Sequence, residues 1–311
     1  MNSSARVAIV VLNWNGKNDT IECLTSVYQS SYSDLDVILV DNGSTDGTVE
    51  AVRAQFPKVV TIENGRNLGY AEGNNVGMRR ALERGANYIL VLNNDTVIDS
   101  AAVGLLVLAA QADERIGVLS PQIFWYSQPN MIWFGGAKWS SEKGGFDHIR
   151  SGEIEDPRCP AATSETDYGS GCALFLRAEA VSKVGLFDPR FFLMWEETDW
   201  CYRARRHGYR IMMEPKAKVW HKVSSSFEGG WSGAQAQYYL TRNRMLWIEK
   251  NLRGREKVRA FARCFRELYW WTVELRQPGK SPEEYSLLRA RLLGGWHYLT
   301  RRFGRRAISE L

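Results

Sequence analysis

A chain of 311 residues, 44% apolar and 24% charged, has the length for one large domain or two modest ones and the balance of a globular protein. Its longest apolar stretch, 101–110, is about half of the ~20 residues that cross a bilayer, and the run 7–12 is too short for a secretory leader, so neither a spanning helix nor a signal peptide is expected. The net charge of +5 is unevenly spread: residues 251–311 hold 14 Arg or Lys against 6 Asp or Glu, on an otherwise slightly acidic body. Such a tail fits a contact with a polyanion or a charged surface, and equally a solvated helical face.

Residues 7–12 form a β-branched apolar run that ends in the turn Asn13-Trp14-Asn15-Gly16. A helix capped by Asn18 or Asp19 runs to about Gln29, and 35–40 is a second strand. Asp41-Asn42-Gly43-Ser44-Thr45-Asp46-Gly47 is a string of turn formers from which Ser44 or Thr45 can cap a helix over 49–55. A short strand at 59–63, a loop at 64–69, a helix over 71–84 and a strand at 87–92 follow. This alternation predicts right-handed βαβ units and a parallel sheet, with Asn13, Asp41, Asn64 to Asn67 and Asp95 converging on one edge. A helix over 99–113 and a strand at 117–125 come next. Residues 126–168 lose periodicity and read as an irregular excursion or lid with small β elements. Further on are a strand at 172–177, a helix at 178–184, a helix over 196–207 stopped by Gly208, and two strands at 209–213 and 217–220. From Gln235 the chain reads as helical, with breaks near Gly254, 277–282 and Gly294-Gly295.

There is no phosphate-binding loop, no Gly-x-Gly-x-x-Gly after the first strand, no nucleophile elbow and no zinc spacing. The five cysteines (23, 159, 172, 201 and 264) are odd in number and scattered, as expected of reduced cytoplasmic thiols. What remains is acidic. The buried-strand run 89–92 stops at Asn93-Asn94-Asp95, which delivers Asp95 to the sheet edge where ligands of open α/β folds sit. Asp95 and His221 are suitable hard-cation ligands that leave positions for diphosphate oxygens. Trp195-Glu196-Glu197-Thr198-Asp199 opens a helix. Glu196 and Asp199 share a face and Asp199 can pair with Arg203, while Glu197 points elsewhere and can face a cleft as a general base. The helix dipole is expected to hold these first-turn acids ionised. Each feature alone also has a plain structural reading, as a polar turn, a structural histidine or dipole-favoured acids.

Together and in order, these segments resemble the inverting GT-A-fold glycosyltransferases of family 2, most closely their bacterial rhamnosyltransferase-like branch. The resemblance runs over about 5–250. It is carried by residues 10–16, by Asp41 to Thr48, by Asn67-Leu68-Gly69-Tyr70 with Asn74-Asn75, and by Leu92-Asn93-Asn94-Asp95-Thr96. Gly169-Ser170-Gly171-Cys172, Gly185-Leu186-Phe187-Asp188, Trp195 to Asp199, and His221 with Ser224 to Ser226 complete it. It implies an α/β, Rossmann-like nucleotide-diphospho-sugar transferase fold with a mainly parallel central sheet. The transferase domain would span 1–250 (nucleotide half 1–120, acceptor half 121–250), followed by a basic helical extension over 251–311. It further implies that Asp41 recognises the nucleotide base, with Asn13, Asn15 and Asn67 around the same pocket. Asn94, Gly171, Trp195 and Glu196 would lie at the substrate, Trp195 stacking on a sugar. Asp95 and His221 would hold Mg²⁺ or Mn²⁺ on the diphosphate, and Glu197 would deprotonate the acceptor hydroxyl. Two departures from the family pattern stand out: Asn93 replaces a first metal-site Asp, and the acidic pair is Glu-Glu.

The resemblance implies a donor of dTDP-rhamnose, with a UDP-sugar second, and a cell-surface glycan or lipid-linked oligosaccharide as acceptor. The location expected is cytoplasmic, peripheral at the inner face of the cytoplasmic membrane. Arg259, Arg263 and Arg266 with Phe261, Leu268, Trp270 and Trp271 give the tail a membrane-interface composition; packing in a homo-oligomer is the alternative. The twelve tryptophans suit sugar rings as well as cores. A sugar-phosphate nucleotidylyltransferase is disfavoured, since 13–18 offers only Lys17 to a triphosphate. A non-catalytic nucleotide-sugar scaffold stays open. Nucleic acid is not expected as a partner, because the tail holds no recognised module.

Overall fold

The computed structural model describes residues 5–156, 162–223 and 232–305. Ser224 to Ser226 and Cys159 lie outside these residues. The first half alternates as expected: β1 (Val7–Asn13), α1 (Lys17–Tyr28), β2 (Leu35–Asp41), α2 (Thr48–Gln55), β3 (Val60–Glu63), α3 (Gly69–Glu83) and β4 (Tyr88–Asn93). β1 pairs in parallel with β2 and β4, and β2 with β3. The runs Val7 to Val11 and Ile89 to Leu92 are buried, as strands covered on both faces by helices must be. Because β2 and β3 lie on one side of β1 and β4 on the other, the chain reverses direction across the sheet there, and a crevice opens at the carboxyl ends of β1 and β4.

The second half adds β5 (Thr96–Ile98), α4 (Ala102–Ala112), β6 (Ile116–Trp125), β7 (Gln128–Phe134), β8 (Ala137–Ser140), β9 (Gly145–His148), β10 (Ser164–Glu165), β11 (Ala173–Arg177), α5 (Ala178–Val184), α6 (Glu196–Arg206) and β12 (Arg210–His221). The sheet order is β10-β12-β6-β11-β4-β1-β2-β3, with β5 on β12 and β7 on β6. β11 runs antiparallel between β4 and β6, so its start, next to Cys172, reaches the same edge as the ends of β1 and β4.

Several local expectations are corrected. The N-caps of α1 and α2 are Gly16 and Gly47 rather than a polar side chain, because Asn18 lies inside α1 and Ser44 is drawn into the bonding of Asp41. The two strands expected at 209–213 and 217–220 are one, β12. A bulge between Glu214 and Lys218 accommodates Pro215, which has no N–H to give the ladder. The excursion after β6 is regular where it packs: β8 and β9 form an antiparallel hairpin whose Trp139 and Phe146 pack against Trp247, tilted and edge-on respectively.

The C-terminal helices are α7 (Ala234–Asn251), α8 (Gly254–Leu275) and α9 (Pro282–Leu299). The break expected at Gly294-Gly295 is absent. These glycines sit mid-helix because α7 lies against them: a Cβ on Gly294 would stand 2.6 Å from the Tyr238 carbonyl oxygen. Asn251, the last residue of α7, donates to Asp199 Oδ1 (2.9 Å), and Trp139 Nε1 donates to Glu256 Oε1 (2.7 Å), so hairpin, α6 and helices form one wall. Among the described residues no helix is long and apolar enough to cross a membrane.

Candidate active site

A cleft of about 790 Å³ opens over the carboxyl edge of the sheet. Its floor on one side is a knot of short polar side chains. Asn13, fully buried at the end of β1, donates to Asp41 Oδ1 (2.8 Å) and Ser44 Oγ (3.0 Å), and its own Oδ1 accepts from Thr20 and Asn94. Asp41 also accepts from the Gly43 and Ser44 N–H groups and from the Ser44 hydroxyl, so both carboxylate oxygens are engaged. Asn15 is left-handed (φ 52°), receives Thr45 N–H on its side chain and gives its own N–H to Ser44. Asn67 accepts from Gly69 N–H (2.8 Å). Asn13, Asn15, Asn67, Asn93 and Asn94 line the cleft, while Asp41 braces it from behind. Asn94 spends its amide on Asn13, Gly16 and Thr20, which makes it a tie between β1 and β4.

Across the crevice, the end of β12 meets the turn after β4. His221 Nε2 lies 3.1 Å from Asp95 Oδ1, and both side chains are buried. Burial disfavours the Asp95 carboxylate, but the His221 imidazole more than offsets this and holds the group below its usual range. Burial likewise opposes charge on His221. The Cys172 thiol and the Asp95 carboxylate beside it nonetheless carry the imidazole up to about 10. Apart from this pair, Asp95 Oδ1 and His221 Nδ1 have no hydrogen-bond partner among the described residues. An ion here would have to displace the proton that His221 shares with Asp95; with it gone, their 3.1 Å separation is close to the roughly 3.0 Å between adjacent ligands on an ion with bonds of about 2.1 Å. The two groups therefore fit neighbouring positions on a divalent ion. Among the described residues no cluster of three His, Cys, Asp or Glu could hold a metal, so further ligands would come from substrate oxygens and water.

The third wall carries the acids, delivered by a strained loop. Phe192, Met194 and Trp195 all have positive φ (64°, 70° and 76°), a costly conformation for bulky residues that persists only where surroundings impose it. The constraint comes from α7. Asn243 Nδ2 reaches the carbonyls of Phe191 (2.8 Å), Leu193 (2.7 Å) and Met194 (2.9 Å), and Arg242 binds those of Arg190 and Phe191. Both side chains are fully buried. On the other side, the Phe192 carbonyl accepts from Tyr70 N–H (2.7 Å) at the start of α3. The Tyr70 hydroxyl donates to the Gly171 carbonyl. A Cβ at 171 would be tight against Tyr70 Oη (3.0 Å) and in contact with Glu197 Cδ (3.5 Å), so a larger residue there would press on both side chains. Neither Arg242 nor Asn243 was reachable from sequence, where they read as ordinary helix residues; only the run of loop carbonyls without strand partners could have suggested a clamp.

Glu196 and Glu197 both line the cleft, although helical spacing put Glu196 on the face of Asp199. Asp199 instead turns inward to Arg203 (2.9 Å) and Lys250 (2.9 Å), the first of these pairs being the one its spacing predicts. The expectation of ionised first-turn acids is also overturned. Burial pushes the Glu197 carboxyl up to about 7, although the first-turn N–H groups and that of Gly171 favour its charge. Burial, and then the charge of Glu197, also push Glu196 well above its ordinary value. The two buried carboxyls thus resist being ionised together, and the pair holds protons more tightly than an exposed first turn would. Trp195 packs on Trp247 (5.6 Å between ring centroids) and Phe146 (5.9 Å), where it borders the cleft.

A parallel first half with a reversal of strand order, an antiparallel strand leading into the second half and a carboxylate pair facing a sheet-edge crevice define a GT-A glycosyltransferase fold. The chain belongs to glycosyl transferase family 2, whose pattern matches residues 8–178. It is 30% identical over 224 residues (65% of this chain, 71% of the relative) to N-acetylglucosaminyl-diphospho-decaprenol L-rhamnosyltransferase of Mycobacterium tuberculosis. It is 26% identical over 257 residues (81% and 82%) to dTDP-rhamnosyl transferase RfbF of Shigella flexneri. Among solved structures, the mannosyltransferase PcManGT of Pyrobaculum calidifontis, in complex with GDP-Man and Mn²⁺, superposes with a TM-score of 0.58 at 15% identity over 97% of this chain and 89% of that one. S. aureus TarS 1–349 with UDP-GlcNAc gives 0.60 at 14% identity over 92% and 79%. The two structures agree with the fold.

Proposed function

We propose that this glycosyltransferase moves rhamnose from dTDP-rhamnose, with inversion at the anomeric carbon, to a hydroxyl of a cell-surface glycan or lipid-linked oligosaccharide. A UDP-sugar is the second choice of donor. The observation that carries the reading is the placement of Glu197: a carboxylate poised near neutrality, held by Gly171, in the cleft that also contains the β1/β4 crevice. The rhamnosyl relatives supply the choice of donor.

In this proposal Asn13, Asn15 and Asn67 line the nucleotide pocket. Asp41, behind this lining, would act in base recognition through Asn13 and Ser44, which it holds at the pocket. Asp95 and His221 would hold Mg²⁺ or Mn²⁺, and a bound ion supplies positive charge where the diphosphate leaves. Glu197 accepts the proton of the acceptor hydroxyl as its oxygen attacks the anomeric carbon, on the face opposite the leaving diphosphate. Glu196, protonated, is a donor that can bind a sugar oxygen, and Trp195 offers an apolar wall to the ring. A calorimetric screen of dTDP-rhamnose, UDP-glucose, UDP-N-acetylglucosamine and GDP-mannose with Mn²⁺ tests the donor. Tightest binding of a GDP-sugar would refute it.

The metal assignment has its own test. Manganese is expected to tighten dTDP binding at least about tenfold in the native protein, and Asp95→Asn is expected to remove that gain while leaving the metal-free affinity unchanged. Equal affinity with and without Mn²⁺ in the native protein would overturn the site.

The proposal extends to a peripheral contact with an anionic bilayer. The exposed face of α8 carries Arg255, Val258, Arg259, Phe265, Arg266, Tyr269 and Trp270, with no acid among its exposed residues. Charge reversal at Arg259 and Arg266 is expected to abolish co-sedimentation with phosphatidylglycerol vesicles. Unchanged sedimentation would leave this face to an oligomer contact.

A further inference from the structure

A second cavity, of about 380 Å³, lies between α7, α8 and α9. Trp195 and Leu240 border both it and the main cleft, so the two spaces adjoin beside the residue that precedes the acidic pair. The size falls within the range of small-molecule sites, about 300–1,000 Å³. Its lining is mixed in a particular way. Leu240, Met245 and Leu268 are apolar, and Trp271 contributes an indole over which the Arg291 guanidinium lies at 5.3 Å. Arg291 Nε donates to Gln237 Oε1 (2.9 Å), and its two terminal nitrogens have no acceptor among the described residues. Arg244 and Glu267 pair with each other (2.8 Å), so they present polar edges with little net charge. An aromatic ring, an apolar floor and a fork of donors beside paired polar groups match a pyranose, which has apolar C–H faces and a rim of adjacent hydroxyls.

We infer that this cavity is a second acceptor subsite, which takes the sugar next to the one that receives the transferred residue. The inference rests on the transferase reading above, because that reading places the acceptor hydroxyl at Glu197. The acceptor then enters along α7, its attacked sugar over Trp195 and its neighbour against Trp271 and Arg291. An acceptor with two sugars binds better than its one-sugar counterpart, and the gain depends on residues that touch neither donor nor reacting atoms.

The test is saturation-transfer NMR on the full chain with a panel of p-nitrophenyl mono- and disaccharides, run beside donor hydrolysis. At least one disaccharide is expected to bind five- to tenfold tighter than the matching monosaccharide, with saturation on both rings. Trp271→Ala is expected to remove the signal of the second ring only and to bring the affinity down to the monosaccharide level. Arg291→Met, which keeps the aliphatic stem, is expected to do the same, and unchanged dTDP binding in each variant reports an intact fold. The inference is overturned if no disaccharide gains over its monosaccharide, if the variants leave the second-ring signal in place, or if they weaken both rings equally. Failure of the transferase reading looks different: the native protein would cleave no nucleotide-sugar, whatever the NMR shows.

Discussion

Glu197→Gln is expected to lower kcat by about 10²–10⁴-fold while leaving the Kd for dTDP within about twofold. The amide keeps the volume of the side chain and its contact with Gly171, but it cannot take a proton. Glu196→Gln is expected to retain most of the activity. Burial and its charged neighbour favour the protonated form of Glu196, and a protonated carboxyl and an amide are nearly the same shape. The contrast between these two variants decides which carboxylate is the base, something their adjacency leaves open. Steady-state transfer and calorimetry measure both quantities; a Glu197→Gln enzyme with near-native turnover would refute the assignment.

The same pair sets the pH dependence. A base must be ionised to act, and burial has raised the Glu197 carboxyl to about 7. Activity should therefore be low in acid, rise about tenfold per pH unit, and level off above 7. A carboxylate at its ordinary value would put that limb near 4. Glu196→Gln should keep the limb near 7, because burial rather than its neighbour is the main cause of the Glu197 shift.

Much of the fold was legible because it is local. The run at Val7 to Leu12, the string of turn formers after Val40 and the stop at Asn93-Asn94-Asp95 each announce a strand end, and the structure sets Asn13 against Asp41 and Asn94 against Asn13. The exchange of polar bonds between these ends was not legible. Side-chain partners 28 and 81 residues apart leave no spacing signal. The state of the acids was misread for a related reason. The helix dipole is a property of the segment, whereas the burial that outweighs it is supplied by distant chain. The Gly294-Gly295 step misled in the opposite sense: a helix breaker by propensity became a contact for α7 once a neighbour approached within 2.6 Å of the would-be Cβ.

Asn243→Ala is expected to cost about 2–6 kcal/mol of stability, since it strips the Leu193 and Met194 carbonyls of their donor in a buried site at roughly 1–3 kcal/mol each. Phe191 is spared, because Arg242 still reaches its carbonyl (2.8 Å). A loop freed in this way has somewhere to go. Met194 and Trp195 can return to negative φ, and the first turn of α6 moves with them, taking Glu197 away from Gly171. Asn243 thus acts on the chemistry as a positioning residue although it touches no substrate. Urea unfolding measures the stability loss, and a kcat reduced tenfold or more at unchanged donor affinity measures the displacement. The discriminating readout is the pH profile. If the loop relaxes, Glu197 gains water and the acid limb moves below 7. If Asn243 only packs the helices, the protein is less stable but the limb stays where it is.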